Sequence, residues 1–333
     1  MKTYEKLYDY LKTQLEKIYY TKDMKTYEKL YDYLKTQDDY VSGEKLAQEF
    51  ELSRTAIWKA IKTLEDKGVQ IHSIKKRGYK IISGDLLLPE QIATNLNIAV
   101  TLNEKSESTQ LDAKNNIDTD KQPHLYLAPN QEMAKGRFGR CFFASKQGGI
   151  YMSLHLKPNV PFEQVKPYTL MVASSIVKAI SRLTGIETEI KWVNDIYLNG
   201  KKIAGILTEA ISSVETGLIT DVIIGVGLNF HITDFPDDIA QKAGTLFSEP
   251  PTITRNQLIT EIWKLFFTIP QKDLVKVYKE KSLVLNKQVT FIENDILFSG
   301  VAKEITDHGH LLVKLDNGQE KLLRSGEISL SSW

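Results

Sequence analysis

The segment KWVNDIYLNGKKIAGILTE, residues 191–209, contains a β-hairpin signal with charged residues at one end. Its Asn199-Gly200 pair stands between two stretches rich in apolar residues, and Asn-Gly is strongly preferred in two-residue hairpin turns. We predict that the hairpin brings Lys191, Asp195 and Lys202 to one strand end. Two lysines and a carboxylate there suit a nucleotide phosphate and its Mg²⁺. A surface hairpin held by ordinary salt bridges fits the composition equally well.

A second segment, MAKGRFGR at residues 133–140, combines three cationic side chains with two glycines. Glycine backbone can turn its N–H groups inward and lets a ligand approach closely. Lys135, Arg137 and Arg140 would supply positive charge for phosphate or carboxylate oxygens. The spacing matches neither a Walker A loop nor a dinucleotide fingerprint. We predict a mobile loop that closes over a ligand, although such a segment alone is more often a solvated turn.

The region from Met24 to about Gly84 shows helix, helix, turn, helix and then two strands. Ser42 and Ser53 are suited to cap the second and third helices, and Gly68 to end the third. The stretch VQIHSIKKRGYKII then reads as two strands that meet at a basic Lys76-Arg77-Gly78 tip. This order of elements is that of a winged helix-turn-helix.

Positive charge is concentrated in the same region. The whole chain has a formal net charge of +1, but residues 53–80 carry eight cationic side chains against two acidic ones, a net charge of +6. Such a concentration predicts a nucleic-acid partner, and a merely structural three-helix unit is the alternative. The expected DNA contacts come from the third helix and the wing, at Ser53, Arg54, Thr55, Trp58, Lys59, Lys62, Lys76 and Arg77.

The remaining patterns predict a mixed α/β region followed by a small β-barrel. GGIYMSLHL alternates as a strand buried on one face, whereas VIIGVGLNF is apolar enough for a strand buried on both faces. YTLMVASSIVKAISRL has the apolar spacing of a helix. DLLLPEQI is predicted as a linker in which Pro89 starts the next element. From Lys287 onward, short strands with the turn signals DHGH and DNG predict the barrel.

Composition restricts where such a protein works. The single cysteine, Cys141, excludes a disulfide framework and is typical of a reducing cytoplasm. No secretory signal is visible, and no stretch approaches the roughly 20 apolar residues of a membrane span, so no membrane partner is expected. The segment MKTYEKLYDYLKTQ occurs at residues 1–14 and again, identically, at 24–37, and we interpret the first copy as a duplicated or appended start.

Four motifs in a fixed order carry a resemblance to a known family. They are AKGRFGR with GGIYMS, KWVNDIY with KKIAGILTE, IGVGLNF, and SGEISL. In this order they resemble the biotin protein ligases, and the preceding winged helix makes residues 24–330 similar to the bifunctional ligase and biotin-operon repressor. The family loop reads GRGRxGRxW, from which this chain departs at Ala134, Lys135 and Phe142, while Val193 replaces the proline of KWPND. A lysine at 135 keeps the charge but not the two-pronged geometry of arginine.

The resemblance implies roles for particular residues. Biotin contacts are expected from Ser108, Thr109, Gln110, Gln131, Lys135, Gly136, Arg137, Lys202 and Gly205. Nucleotide contacts are expected from Lys135, Arg137, Arg140, Phe142, Asn194, Asp195, Lys202 and Asn229. Catalytic roles fall to Lys202, Lys135, Asp195 and Arg140. No protein-only metal site is expected, and Mg²⁺ would arrive with ATP, near Asp195.

The resemblance also implies an α+β multidomain fold. It consists of a winged helix at residues 24–84, a class II aminoacyl-tRNA synthetase-like catalytic domain at 85–282, and an SH3-like β-barrel at 283–333. The implied activity is ATP-dependent transfer of biotin to a lysine of carboxylase subunits, together with biotin-responsive repression at operator DNA by a liganded homodimer. A ligase with a DNA-silent winged helix and a non-catalytic biotin sensor are the alternatives. An acyl-adenylate enzyme acting on lipoate fits the loop and the Lys202 spacing less well.

Overall fold

The computed structural model describes residues 24–119, 122–326 and 328–330. The predicted duplicated start, residues 1–23, lies outside this part. The chain forms two compact units, the first ending at Gln91 and the second starting at Ile92. Among the described residues, no helix has both the length and the apolar character needed to cross a bilayer.

The first unit consists of three helices and a hairpin. Its elements are α1 (Thr26–Lys35), α2 (Gly43–Glu49), α3 (Arg54–Asp66), β1 (Gln70–Ile74) and β2 (Gly78–Ser83), and α4 (Pro89–Leu96) begins at its end. The Ser42 and Ser53 hydroxyls accept hydrogen bonds from the backbone N–H groups of Lys45 and Ala56, as capping residues do. Both predicted caps and the order of the elements are therefore confirmed. The α3 side chains Ile57, Ile61 and Leu64 are buried in the core of the unit.

The segment DLLLPEQI, predicted as a linker, contains buried leucines. Pro89 does start α4, but Leu86, Leu87 and Leu88 are buried. Leu86 and Leu88 belong to the core of the first unit. The segment that leads to α4 therefore packs two of its leucines against the first unit, and their burial stabilises the small helical core.

The second unit is built on one large, mostly antiparallel sheet. Its strands are β3 (Ala99–Leu102), β4 (His124–Ala128), β5 (Gly149–Leu156), β6 (Val160–Pro161), β7 (Glu189–Lys191), β8 (Asp195–Leu198), β9 (Lys201–Ser212) and β10 (Leu218–Asn229). The strand order is β3-β4-β5-β10-β9-β8-β7, with β6 paired to β10. Only β3 and β4 run parallel among these pairs.

Helices cover both faces of this sheet. They are α5 (Thr109–Asn115), α6 (Tyr168–Thr184), α7 (Arg255–Thr268) and α8 (Gln271–Glu280). Helix α5 packs on β4, β5 and β10, while α6 packs against α7, α8 and β9. Strand β5 is accordingly buried on both faces, which corrects the prediction of one buried face. The side chains that alternate with its apolar residues are buried within the protein and do not face solvent; they are Tyr151, Ser153 and His155.

A five-stranded antiparallel sheet follows. It contains β11 (Gln288–Glu293), β12 (Ile296–Ile305), β13 (Leu311–Leu315), β14 (Glu320–Leu323) and β15 (Ser329–Leu330) in the order β14-β13-β12-β11-β15. The predicted turns are present, with Gly309 between β12 and β13 and Gly318 between β13 and β14, both at positive φ. The fold class predicted from the sequence is confirmed.

Candidate active site

A cavity of about 200 Å³ opens on the face of the large sheet that carries α5. Its floor is formed by β9 and β10, and its rim by the start of α5, the loop that follows β4, and the turn between β7 and β8. The segment before β15 adds Gly326 and Ile328 to the wall. Residues distant in sequence therefore meet around one opening.

Three glycines on β9 and β10 leave room on this floor. A methyl group added at Gly225 would lie 2.5 Å from Gln110 Oε1, and one at Gly227 would lie 2.3 Å from Phe142 Cζ. At Gly205 the added carbon would lie 3.2 Å from Lys202 Nζ. Glycine inside a strand marks such close approaches. The side chains of Gln110, Phe142 and Lys202 therefore pack directly against glycine backbone.

One end of the cavity is strongly cationic. The described lining includes five basic side chains and a single acidic one, Asp195. The Lys202 ammonium lies 2.7 Å from Asp195 Oδ1, with both side chains partly exposed to solvent. The predicted Asn199-Gly200 hairpin turn is present, with both residues at positive φ, and it joins the strands that hold this pair. The excess of positive charge suits a polyanion. The basic lining residues are Lys135, Arg137, Arg140, Lys191 and Lys202.

The loop of residues 134–142 folds back on itself above this end. Lys135 and Cys141 form a β-bridge, Gly136 N–H donates to the Arg140 carbonyl at 2.8 Å, and Phe142 N–H donates to the Ala134 carbonyl at 2.9 Å. At its tip, Phe138 has a φ of 58° and an exposed ring. Backbone bonds thus shape the loop so that its cationic side chains can reach the cavity.

The opposite end of the cavity is polar but uncharged. Thr109 N–H donates to Gln131 Oε1 at 2.7 Å, and the hydroxyls of Thr109 and Ser153 lie 2.9 Å apart. The Ser153 hydroxyl donates to Gln110 Oε1 at 3.0 Å. Ser108 caps α5 by accepting a hydrogen bond from Leu111 N–H. These hydroxyl and amide groups can bind a small neutral polar ring.

Residues outside the cavity hold the turn between β7 and β8. Trp192 Nε1–H donates to the Gly309 carbonyl at 2.9 Å, and the Tyr278 hydroxyl donates to the Val193 carbonyl at 2.9 Å. Burial raises the pKa of Tyr278 well above its usual value, and the nearby Asp195 carboxylate raises it further. The phenol therefore stays protonated and remains a hydrogen-bond donor to the turn.

Asn194 and Arg137 complete this support. Asn194 Nδ2 donates to the Ile206 carbonyl at 2.8 Å, which joins the turn to β9. Arg137 donates to the Gly326 carbonyl at 2.9 Å and approaches Asn194 Oδ1 at 3.4 Å. The C-terminal sheet thus contributes backbone carbonyls to the placement of cavity residues.

The structure brings together almost all of the predicted ligand-binding residues. The exception is Asn229, which does not line the cavity and whose Nδ2 donates to the Gly244 carbonyl at 2.9 Å. It lies at the end of β10, where it binds the backbone of the following loop. The predicted residues that line the cavity are Ser108, Thr109, Gln110, Gln131, Lys135, Gly136, Arg137, Arg140, Phe142, Asn194, Asp195, Lys202 and Gly205.

The prediction from the sequence did not include several residues that line the cavity. Gly225 and Gly227 alternate within an apolar strand, a signal of close approach that was available in IGVGLNF. Ser153 lay in an alternating strand and Gly326 in a loop, and neither had a local signal. The motif SGEISL contains Gly326, but a role for its backbone carbonyl depends on tertiary contact.

Known proteins resemble this chain along its length. Residues 27–80 match the HTH domain family, 101–229 the biotin/lipoate A/B protein ligase family, and 284–331 the biotin protein ligase C-terminal domain. The bifunctional ligase/repressor BirA of Bacillus subtilis (strain 168) is 30% identical over 313 residues, covering 88% of this chain and 94% of that protein. The chain belongs to the biotin protein ligase family, with the bifunctional ligase/repressors. The sequence-based family prediction is confirmed.

Two further comparisons concern the ligase part of the family. The biotin–[acetyl-CoA-carboxylase] ligase of Mycobacterium tuberculosis is 24% identical over 219 residues, covering 61% of this chain and 77% of that protein. The biotin protein ligase from Aquifex aeolicus, solved in complex with biotin and ATP, has a TM-score of 0.58 at 25% identity, covering 70% of this chain and 98% of that one. The fold around the cavity is that of a biotin protein ligase.

The winged-helix unit of this ligase exposes most of the predicted DNA contacts. Arg54, Thr55 and Lys59 on α3 are exposed, and the Trp58 side chain is 52% exposed. The Ser53 hydroxyl is engaged at the helix start. An exposed aromatic ring flanked by cations on one helix is typical of a nucleic-acid surface.

Two of the other predicted contacts, Lys62 and Arg77, have protein partners. The Lys62 ammonium lies 2.5 Å from Glu65. The Arg77 guanidinium lies 2.9 Å from Asp39 and stacks 4.7 Å from the centre of the Tyr40 ring, whereas Lys76, at the tip, is exposed. The wing is therefore braced against the segment that precedes α2.

Proposed function

We propose that this ligase condenses biotin with ATP to biotinyl-5′-AMP and transfers the biotinyl group to a lysine of a carboxylase subunit. The observation that carries the proposal is a single cavity with a polar, uncharged end and a cationic end. Biotin has the matching form, a neutral ureido ring with a carboxylate at the end of an apolar chain. The carboxylate of such a molecule would lie towards the lysines and the phosphates of ATP.

Biotin is expected at the uncharged end. Thr109, Gln110, Gln131 and Ser153 supply hydroxyl and amide groups for the ureido ring, and the bare backbone at Gly225 lets the Gln110 amide pack against the floor beside it. Hydrogen bonds in a partly buried site discriminate strongly, because an unmatched ligand leaves protein groups unpaired.

The nucleotide is expected at the cationic end. Arg137, Arg140 and Lys202 can hold phosphate oxygens, while Asn194 and Phe142 flank the nucleotide. One carboxylate, Asp195, suits Mg²⁺ that arrives on ATP phosphates, since protein-bound Mg²⁺ commonly uses one or two carboxylates plus phosphate oxygens. Among the described residues no cluster of three metal-ligating side chains offers an alternative site. Mg²⁺ bound there would neutralise part of the negative charge on the phosphate oxygens.

In the first step the biotin carboxylate attacks the α-phosphorus and pyrophosphate leaves. Lys202 and Lys135 would stabilise the negative charge that develops on the phosphoryl oxygens. In the second step a substrate lysine attacks the biotinyl carbonyl carbon, an amide forms, and AMP leaves. The mixed anhydride is sensitive to water, so the 134–142 loop would cover it until the acceptor arrives.

The test is pyrophosphate release from ATP that depends on biotin, followed by labelling of a carboxylase biotin-accepting domain. Release with labelling supports the proposal. Binding of biotin without pyrophosphate release identifies a non-catalytic sensor, and release with lipoic acid in place of biotin identifies a lipoate-type enzyme.

We further propose that the chain represses transcription as a liganded homodimer. One winged helix reads few base pairs and makes few phosphate contacts, so two copies on adjacent half-sites would bind far more tightly. The exposed cations and Trp58 on α3 support DNA binding, and the B. subtilis relative is named a ligase/repressor. Operator titration at fixed salt, with and without biotin and ATP, tests this; equal and weak binding in both states identifies a ligase with a DNA-silent winged helix.

A further inference from the structure

A chain of hydrogen bonds connects the uncharged end of the cavity with a half-exposed ion pair. Gln110 Nε2 donates to Glu209 Oε2 at 2.9 Å, and Glu209 Oε1 lies 2.9 Å from the Lys114 ammonium. Glu209 is on β9 and does not line the cavity. Its carboxylate is nevertheless the nearest of the acceptors that orient the Gln110 amide.

The orientation follows from the atoms that surround this amide. Gln110 Nε2 faces three acceptors, the Glu209 carboxylate at 2.9 Å and the carbonyls of Ile223 at 3.2 Å and Leu207 at 3.5 Å. A flipped amide would place its oxygen against all three acceptors. Gln110 Oε1 is therefore held towards the Ser153 hydroxyl, which donates to it at 3.0 Å.

That orientation propagates to the groups at the cavity surface. A hydroxyl has one proton, so Ser153, which gives its proton to Gln110, accepts from Thr109 across their 2.9 Å contact. The Thr109 hydroxyl then has no proton left for Gln131 Oε1, which lies farther away at 3.2 Å. Gln131 Oε1 is occupied by Thr109 N–H at 2.7 Å, which leaves the Gln131 –NH₂ group as the donor for a ligand. Lone pairs of the Ser153 and Thr109 hydroxyls remain as acceptors.

We infer that Glu209 is a positioning residue that sets the hydrogen-bond polarity of the cavity and thereby selects a cyclic urea over a ring without polar groups. A cyclic urea has one carbonyl acceptor and two N–H donors, the complement of one amide donor and hydroxyl lone pairs. The dithiolane ring of lipoic acid offers neither. The inference rests on the proposed function, since it assigns the ureido ring to this end of the cavity.

The test is calorimetric titration of the full chain with biotin and, separately, with ATP. Glu209→Leu removes the acceptor and should weaken biotin binding roughly tenfold to a hundredfold, the range for a hydrogen bond to a charged group. Glu209→Gln keeps an acceptor oxygen at this position and should restore most of the affinity. ATP binding should change by less than about twofold in both, because the phosphate end is untouched.

Two controls separate positioning from a general loss of structure. Glu261→Leu removes another ion-paired glutamate, the partner of Arg182 at 2.9 Å on α7, and should leave biotin affinity unchanged. Lys114→Met keeps the carboxylate but removes its counter-charge, and should weaken biotin binding only a few-fold. This variant also tests the inference if Glu209→Leu does not fold.

Selectivity provides the last readout. The ratio of the pyrophosphate-release rates with biotin and with lipoic acid should decrease in Glu209→Leu. The substitution removes hydrogen bonding to the polar ureido ring, which lipoic acid does not have. Unchanged biotin affinity in Glu209→Leu, an equal loss in Glu209→Gln, or an equal loss for ATP overturns the inference. A wild-type chain that binds biotin but releases no pyrophosphate refutes the proposed catalysis and leaves this inference standing.

Discussion

Replacement of Lys202 by alanine removes one of the cations at the cationic end of the cavity. The Lys202 ammonium is 2.7 Å from Asp195 Oδ1, and its side chain lies over Gly205. In the proposed reaction this cation contacts both the biotin carboxylate and the α-phosphate. Its loss therefore acts on the step in which negative charge increases on the phosphoryl oxygens.

The expected magnitude follows from this position. Removal of one charge-stabilising donor in an enclosed site costs about 3–4 kcal/mol of transition-state stabilisation, so adenylation should slow by roughly 10²- to 10³-fold. The effect on folding should be small. The Asp195 and Lys202 side chains are 22% and 36% exposed, and water can solvate the carboxylate left behind, at a cost of about 1 kcal/mol.

The assay is single-turnover pyrophosphate release at saturating biotin and MgATP. Lys201→Ala is the matched control, because Lys201 is the neighbouring residue on β9 but is exposed and donates to the Ala240 carbonyl at 3.1 Å. That variant should react at the wild-type rate. Near wild-type release from Lys202→Ala, or an equal loss in both variants, would refute the assignment of Lys202 to the reacting atoms.

Three further predictions test other parts of the molecule. Gly225→Ala places a carbon 2.5 Å from Gln110 Oε1, so the Gln110 amide must shift; biotin affinity measured by calorimetry should fall about tenfold or more, and the free energy of unfolding should fall by about 1–3 kcal/mol. Unchanged affinity would contradict the close approach. Hydrogen exchange over residues 135–143 should slow on addition of biotin and ATP, and equal exchange would identify a static turn. Biotin with ATP should raise the dimer fraction in sedimentation and tighten operator binding. Deletion of residues 24–84 should abolish DNA binding, and retained binding would place the DNA surface elsewhere.

Local signals were sufficient for most elements of the fold. The caps at Ser42 and Ser53 and the Asn199-Gly200 turn were predicted correctly, because each depends on side chains or φ values of a few consecutive residues. The prediction for β5 was wrong about its second face. A strand with alternating polar residues is also compatible with a polar cluster buried beneath a helix, and no local pattern distinguishes the two.

Family motifs extended the prediction to the cavity, but not to everything that shapes it. The hairpin pattern predicted that Lys202 and Asp195 lie close together, as they do, whereas Asn229 belonged to a family motif and yet binds the Gly244 carbonyl outside the cavity lining. A motif specifies residue types along the chain. Which of its side chains reach a common opening depends on strand register and on the loop that follows.

The sequence alone determined the order of the elements, the charge of the N-terminal unit and the family, since these are properties of neighbouring residues and of motif order. Only the tertiary structure decided the polarity of the cavity. Its hydrogen bonds join Thr109 to Gln131, 22 residues away, Thr109 to Ser153, 44 residues away, and Gln110 to Glu209, 99 residues away. A hydrogen bond requires its two atoms within about 3 Å, and separations of this length in sequence are bridged only after the sheet and α5 have packed together.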